Sequence, residues 1–328
     1  MESSRQNPRW VFAAALLAVA LLTGAWFAFN ALMKVPPDPK VTSVALSRTG
    51  RWLAAGTPQG RIAVWDQTAP AAPRQITFDE GPLNDLQFDP GESHLAVASH
   101  NLATFDLSQP GVPHFLKQDQ RHYGTVRYSQ DGASVLVITG SSAIELLDAQ
   151  SGAPRFSVCC STIYGEVAFT PDGGTVVNAG HWPRLWSARN GQMVGQLLPT
   201  QRTHPFRSIA FGDAGATVAM GSQDGRVYVW DVPGRRLAAI SEAQPEYVDG
   251  VAFTSSGWIV YSASGKTLRL WNPLSGKYRL VEGARPTSNL ILNQESGTIL
   301  FGTAAGAVES WNLETGRRLS ARQMPAAQ

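Results

Sequence analysis

The feature that most constrains this chain is that it repeats itself. One unit recurs seven times: a strand of aliphatic and aromatic residues, a polar turn, an apolar strand, a Gly-containing turn, then a strand closing on a large apolar residue. Its best copies are VALSRTGRWLAAGTPQGRIAVWD (44–66), IAFGDAGATVAMGSQDGRVYVWD (209–231) and VAFTSSGWIVYSASGKTLRLWN (251–272). The third-strand markers are Trp65, Phe105, Leu147, Trp186, Trp230, Trp271 and Trp311, at intervals of 40, 42, 39, 44, 41 and 40 residues. A unit this small cannot bury its own apolar faces, so neighbouring units must stack on one another. Composition agrees. The chain has 31 Gly and 21 Pro among 328 residues, which favours turns between short elements over long helices. A hydrophobic fraction of 43% supplies a large core, and 16% charged residues is too few for a disordered polymer.

A period near 40–45 residues with four short strands and a Trp-Asp dipeptide closing the third is the signature of a propeller blade. In these residues the chain resembles the tryptophan-aspartate (WD) repeat family, from Val41 to about Arg322. Phe169-Thr170-Pro171-Asp172-Gly173 matches the family's first turn, and Gly221-Ser222-Gln223-Asp224-Gly225 with Trp230-Asp231 matches its second and third strands. The resemblance implies an all-β, seven-bladed β-propeller of four-stranded blades. The family's Gly-His dipeptide before each first strand is missing. Of the hydrogen-bonded tetrad it belongs to, only the fifth unit keeps Ser222, Asp224 and Trp230, so Asp224 is expected to be a structural turn residue. The family usually closes its ring by lending the last blade a strand from the other terminus. Here the phase runs from a first strand at Val41 to a fourth strand near Arg322, so each blade is expected to be complete and closure to rest on packing.

Ahead of the repeats, Trp10 to Met33 is 24 residues without a formal charge, against about 20 for a bilayer-spanning helix. The domain reading is a basic tail (1–9), an N-terminal transmembrane helix (10–33), a Pro-rich linker (34–40), the propeller (41–322) and a C-terminal tail (323–328). A cleaved signal peptide is the competing reading, with Thr23 and Ala25 near a cleavage site, but Trp26, Phe27, Phe29 and Leu32 carry the apolar run past it. Arg5 and Arg9 favour a cytoplasmic tail and a translocated propeller. With Arg far outnumbering Lys and no Asn-x-Ser/Thr sequon, the expectation is a single-pass bacterial inner-membrane protein facing the periplasm.

Catalytic motifs do not assemble. Gly265-Lys266-Thr267 lacks the earlier Gly of a phosphate loop, because Val260 stands there, and no helix follows. There is no nucleophile elbow, no His-Glu-x-x-His and no Cys-x-x-Cys. No cofactor or metal is called for. Lys+Arg 27 against Asp+Glu 25 gives a net charge of +2, which argues against nucleic acid as a partner. Adjacent Cys159 and Cys160 sit closer, at ~3.8 Å between Cα atoms, than a disulfide prefers, so two packed thiols are expected over a strained vicinal bond.

Candidate sites come from the first strands. Val44, Leu86, Val126, Val167, Ile209, Val251 and Leu290 form a core row. Three residues earlier in each unit lies a second apolar row (Val41, Leu83, Tyr123, Tyr164, Phe206, Val248, with Thr287), which breaks strict alternation and calls for a β-bulge. Between them Ser43, Asp85, Thr125, Glu166, Ser208, Gly250 and Asn289 are small or polar, and are expected to line the central channel. The row is a water-filled axis, or Asp85, Glu166 and Asn289 hold a cation, unless Arg127 neutralises the carboxylates. In the family, the fourth-to-first and second-to-third loops share the partner-binding face. That face would carry His122, Trp182, Arg202, His204, Tyr247, Asp249 and Arg285, with Arg207 at the bulge. Trp182 is an interface anchor or a ring folded back on its loop. The functional reading is a membrane-anchored scaffold for protein partners. The alternative is a propeller hydrolase or ligand binder with a cation in the channel, and a third reading is a secreted carrier.

Overall fold

The computed structural model describes residues 40–69, 71–159, 165–198, 204–264 and 266–326, all within one compact unit, Pro39–Gln328. The segments read from sequence as tail, transmembrane helix and linker lie outside these residues, apart from Lys40. Among the described residues no helix is long and apolar enough to cross a membrane.

The described residues form seven four-stranded sheets, each made of four consecutive strands paired antiparallel in sequence order. The blades span 43–77, 85–117, 123–158, 167–196, 206–240, 248–281 and 291–323. Alternate residues of each strand point to opposite sheet faces, so every blade is apolar on both and must be covered on both. Leu53 packs toward blade seven and its neighbour Ala54 toward blade two. Seven buried apolar clusters result, one at each seam. Each third-strand marker is buried and packs back on the preceding blade, as Trp230 does on Val177 and Leu185. A large marker at every repeat is what fills each seam.

The first strands surround the axis. Their core row is buried throughout, from 0% exposure at Val44 to 9% at Leu290. The second row packs on the preceding blade through small residues: a Cβ on Gly302 would overlap Val41, and one on Gly56 would overlap Leu83. The anticipated bulge occurs in blades three, five and six, where pairing shifts between Tyr123 and Thr125, Phe206 and Ser208, and Val248 and Gly250. The extra residues are Gly124, Arg207 and Asp249.

Among the described residues no blade borrows a strand, and the ring closes by contact. The Val41 amide donates to the Thr303 carbonyl at 3.0 Å, the Thr287 hydroxyl to the Val41 carbonyl at 2.9 Å, and the Asn289 amide group makes two 2.9 Å bonds to the Val44 backbone. The last strand runs Arg317–Gln323, and the Met324 amide continues it onto the Gly306 carbonyl at 2.8 Å. The ordered propeller thus reaches past Arg322.

One expectation changes and another holds. Cys159 is disulfide-bonded rather than a packed thiol, and Cys160, the other cysteine of the sequence, lies outside the described residues. In blade five Asp224 braces its turn, accepting from the Arg226 amide at 3.1 Å and the Tyr228 hydroxyl at 2.7 Å. The tetrad does not form around it: the buried Trp230 indole N–H has no partner.

Candidate partner-binding face and channel

The bulges decide what faces the mouth of the channel. An extra residue turns its side chain away from the alternation of its strand, so Arg207 and Asp249 line the mouth together with Asp85, Thr125, Arg127 and Glu166, around a cavity of about 310 Å³. A deeper chamber of about 160 Å³ continues past Arg127, Glu166 and Asn289 to Leu46 and Leu290.

The channel carboxylates are occupied. The Arg127 guanidinium bridges Asp85 and Glu166, one nitrogen to each. Burial opposes the Arg127 charge, but the two carboxylates outweigh it and hold its pKa above the ordinary value. The carboxylates also reach across seams: Asp85 accepts from the Val126 amide at 3.1 Å through the oxygen that Arg127 engages, and Glu166 from the Ile209 amide at 3.0 Å through its other oxygen. With Asn289 on Val44, three of the polar row clip one blade's first strand to the next. A cation here would have to displace the guanidinium. Among the described residues no three His, Cys, Asp or Glu side chains converge as a metal set.

On the face itself, Arg207 lies 4.7 Å over the Tyr247 ring, which is 41% exposed. Beside them Asp249 accepts a 2.8 Å bond from the Ser262 hydroxyl. It is accessible along the channel yet enclosed by protein, and this desolvation raises its pKa, partly offset by Ser262 and Arg207. Trp182 is 52% exposed. Its turn is tied to the entry of blade five, where the Phe206 amide donates to the Gly180 carbonyl at 3.0 Å. His204 and Arg285 are exposed on the same face. His122, in the left-handed backbone region at φ 59°, packs its ring 4.0 Å from that of His100 between blades two and three. Arg202 lies outside the described residues. The structure therefore joins Arg207, Tyr247 and Asp249 into one cluster and places Trp182 in a neighbouring turn.

Sequence reasoning missed the exposed Leu198, also 52% accessible, one residue past the Leu197–Pro183 backbone bond and hence beside the Trp182 turn. The signal was available: Met193 and Val194 are apolar on the outermost strand Met193–Gln196, and Leu198 follows two residues past it. Trp258 flanks a first-to-second-strand turn on the opposite face, but its ring is partly buried at the blade six–seven seam beneath Arg279. Leu274, 96% exposed in a third-to-fourth-strand turn, marks that face better.

The WD domain, G-beta repeat model matches residues 33–66 and 195–231, which end at the markers of blades one and five. Similar proteins include the mouse NACHT domain- and WD repeat-containing protein 1 (31% identical over 30% of this chain). Others are the Saccharomyces cerevisiae Periodic tryptophan protein 2 (22% over 85%) and the Schizosaccharomyces pombe Target of rapamycin complex subunit wat1 (26% over 29%). The aligned part spans 7%, 31% and 31% of those proteins, less than a third of each. The matched segments belong to two of the seven four-stranded blades, so the chain is a seven-bladed propeller that carries segments similar to the WD repeat.

Proposed function

We propose that this chain is a membrane-anchored propeller that holds a protein partner on the face at the channel mouth, acting as an interaction or assembly scaffold rather than as a catalyst. The observation that carries the reading is the exposed aromatic–Arg grouping of Tyr247, Arg207 and Trp182 on a single face, the composition of interface anchors. One relative is named as a subunit of a complex, which agrees with an assembly role. Membrane anchoring rests on the uncharged stretch 10–33, and a periplasmic propeller on the basic residues before it. Alkaline washing of membranes should leave the full chain in the pellet and release a chain lacking residues 1–39. The channel-cation alternative is disfavoured because Arg127 already engages both carboxylates.

The direct test replaces Tyr247 with a photo-crosslinking aromatic amino acid in cells expressing the full chain. The reading expects a discrete adduct to one protein from position 247 and none from the same probe at Leu274. Adducts from 274 alone, or from neither position, count against it.

A further inference from the structure

Blades one and six share a seam device whose positions blade two fills differently. In blade one Trp52 precedes the residue paired with the marker, and Arg74, paired with Val64, lies with its guanidinium 5.0 Å over the Trp52 ring. Arg74 then donates to the Leu107 carbonyl of blade two, two residues past that blade's marker. Blade six repeats the device: Trp258, Leu270 paired with Arg279, and an Arg279 guanidinium donating to the Leu313 and Glu314 carbonyls of blade seven. An arginine side chain thus fills the seam groove, lodged between an aromatic ring and the next blade's turn carbonyls.

In blade two the same three positions are His94, Thr104 and His114. The shorter His114 reaches only the Gln150 carbonyl, at 2.9 Å. The groove between blades two and three measures about 500 Å³, against about 340 Å³ between blades six and seven. Its lining is acidic. Asp89, Asp131 and Asp148 face it; Arg155 pairs with Asp148 at 3.0 Å and acts more weakly on Asp131, and the His94 ring lies 3.9 Å from Asp89. Asp131 uses one oxygen on Ser129 and the Ala133 amide and leaves the other without a hydrogen bond. Thr104, 4% exposed where the sister seams have Val64 and Leu270, lines the groove with a hydroxyl that makes no hydrogen bond; the Tyr128 hydroxyl makes none either. Thr104, Tyr128 and the exposed Asp131 open onto the groove, so these acceptors and donors are available to a ligand.

We propose that the groove between blades two and three is a guanidinium site, which takes an arginine side chain presented by a partner protein where blades one and six supply their own. The planar guanidinium fork matches carboxylate and carbonyl acceptors that a lysine ammonium meets only as a point charge. An arginine within a chain fits better than the free amino acid, whose α-carboxylate would meet Asp89 and Asp131. The site is independent of the aromatic face, because it opens where first-to-second and third-to-fourth turns meet, at the other end of the blades.

The test is a ligand-observed NMR titration of the full chain in mild detergent with acetyl-Gly-Arg-Gly-amide and its lysine and citrulline counterparts. The arginine peptide should bind saturably, and both counterparts at least about ten-fold more weakly. His114→Arg should restore the sister-seam arrangement, fill the groove from within and abolish binding without lowering Tm. Thr104→Val and Asp131→Asn should each weaken binding. Absence of saturable binding, equal binding of the citrulline peptide, or undiminished binding by His114→Arg overturns the proposal. Should His114→Arg fail to fold, undiminished binding by Asp131→Asn overturns it alone.

Discussion

Arg127 holds more of the channel together than any other side chain on the axis. Removing it leaves two carboxylates enclosed without a counter-charge, and breaking such a pair from one side costs about 3 kcal/mol. Arg127→Met should lose roughly that much in urea unfolding. The triple variant Asp85→Asn, Arg127→Met, Glu166→Gln should recover most of it, since Asn and Gln still accept from the Val126 and Ile209 amides. Equal losses in the two variants would show that the charges are not what matters. Asp249 gives a pH signature. Burial holds its pKa above the ordinary 3.8, so between that value and its higher folded value the native state binds more protons than the unfolded chain, and stability falls as pH rises. Asp249→Asn keeps an acceptor for Ser262, so its Tm should exceed that of the parent at neutral pH. The two should converge below pH 3.8, and a lower Tm at neutral pH would contradict the sign. Sequence showed that Arg127 was near Asp85 and Glu166, but only coordinates show one guanidinium reaching both. The idle hydroxyl of Thr104 was likewise invisible until its repeat equivalents, Val64 and Leu270, were superposed on it.

At the scale of elements, the first strand was the most legible part of the chain. Two apolar rows spaced by three called for a bulge, and register shifts at Gly124, Arg207 and Asp249 supply it in three of the seven blades. Less legible was that the polar row between them does two jobs. A sequence row says which way side chains point, whereas the bond from Asn289 to Val44 joins residues 245 apart in sequence. That bond lies at the closing seam, where no borrowed strand ties blade seven to blade one. Replacing Asn289 by Leu leaves the N–H and C=O of fully buried Val44 without these partners, at about 1–3 kcal/mol for each unsatisfied group. Native-state hydrogen exchange should show the Val44 and Ala45 amides losing protection first in Asn289→Leu, with the blade three–four seam unchanged. Uniform loss across all blades would mean that the closing seam is no weaker than the others.

For the whole molecule, the seven-fold period carried the architecture because each marker must fill one seam, and seven seams close a ring. What the period does not carry is which surface works. Repeats look alike where they pack and differ where they bind, so the informative positions are departures: Trp182 on an exposed turn, the Arg207 and Asp249 bulges, and the His94–Thr104–His114 set. The proposed partner site is the face bearing Trp182 and Tyr247. Its most direct measurement is the affinity of the crosslinked partner, once purified, for the parent protein and for Trp182→Ala, Tyr247→Ala and Leu274→Ser, with Tm recorded for each. Truncating a central aromatic anchor should cost about 2 kcal/mol or more of binding, while exposed substitutions should shift folding stability by no more than about 0.5 kcal/mol. The account predicts weakened binding in the two aromatic variants, parent-like binding in Leu274→Ser and little change in Tm. Loss of binding in Leu274→Ser with both aromatic variants intact would contradict it and move the interface to the opposite face.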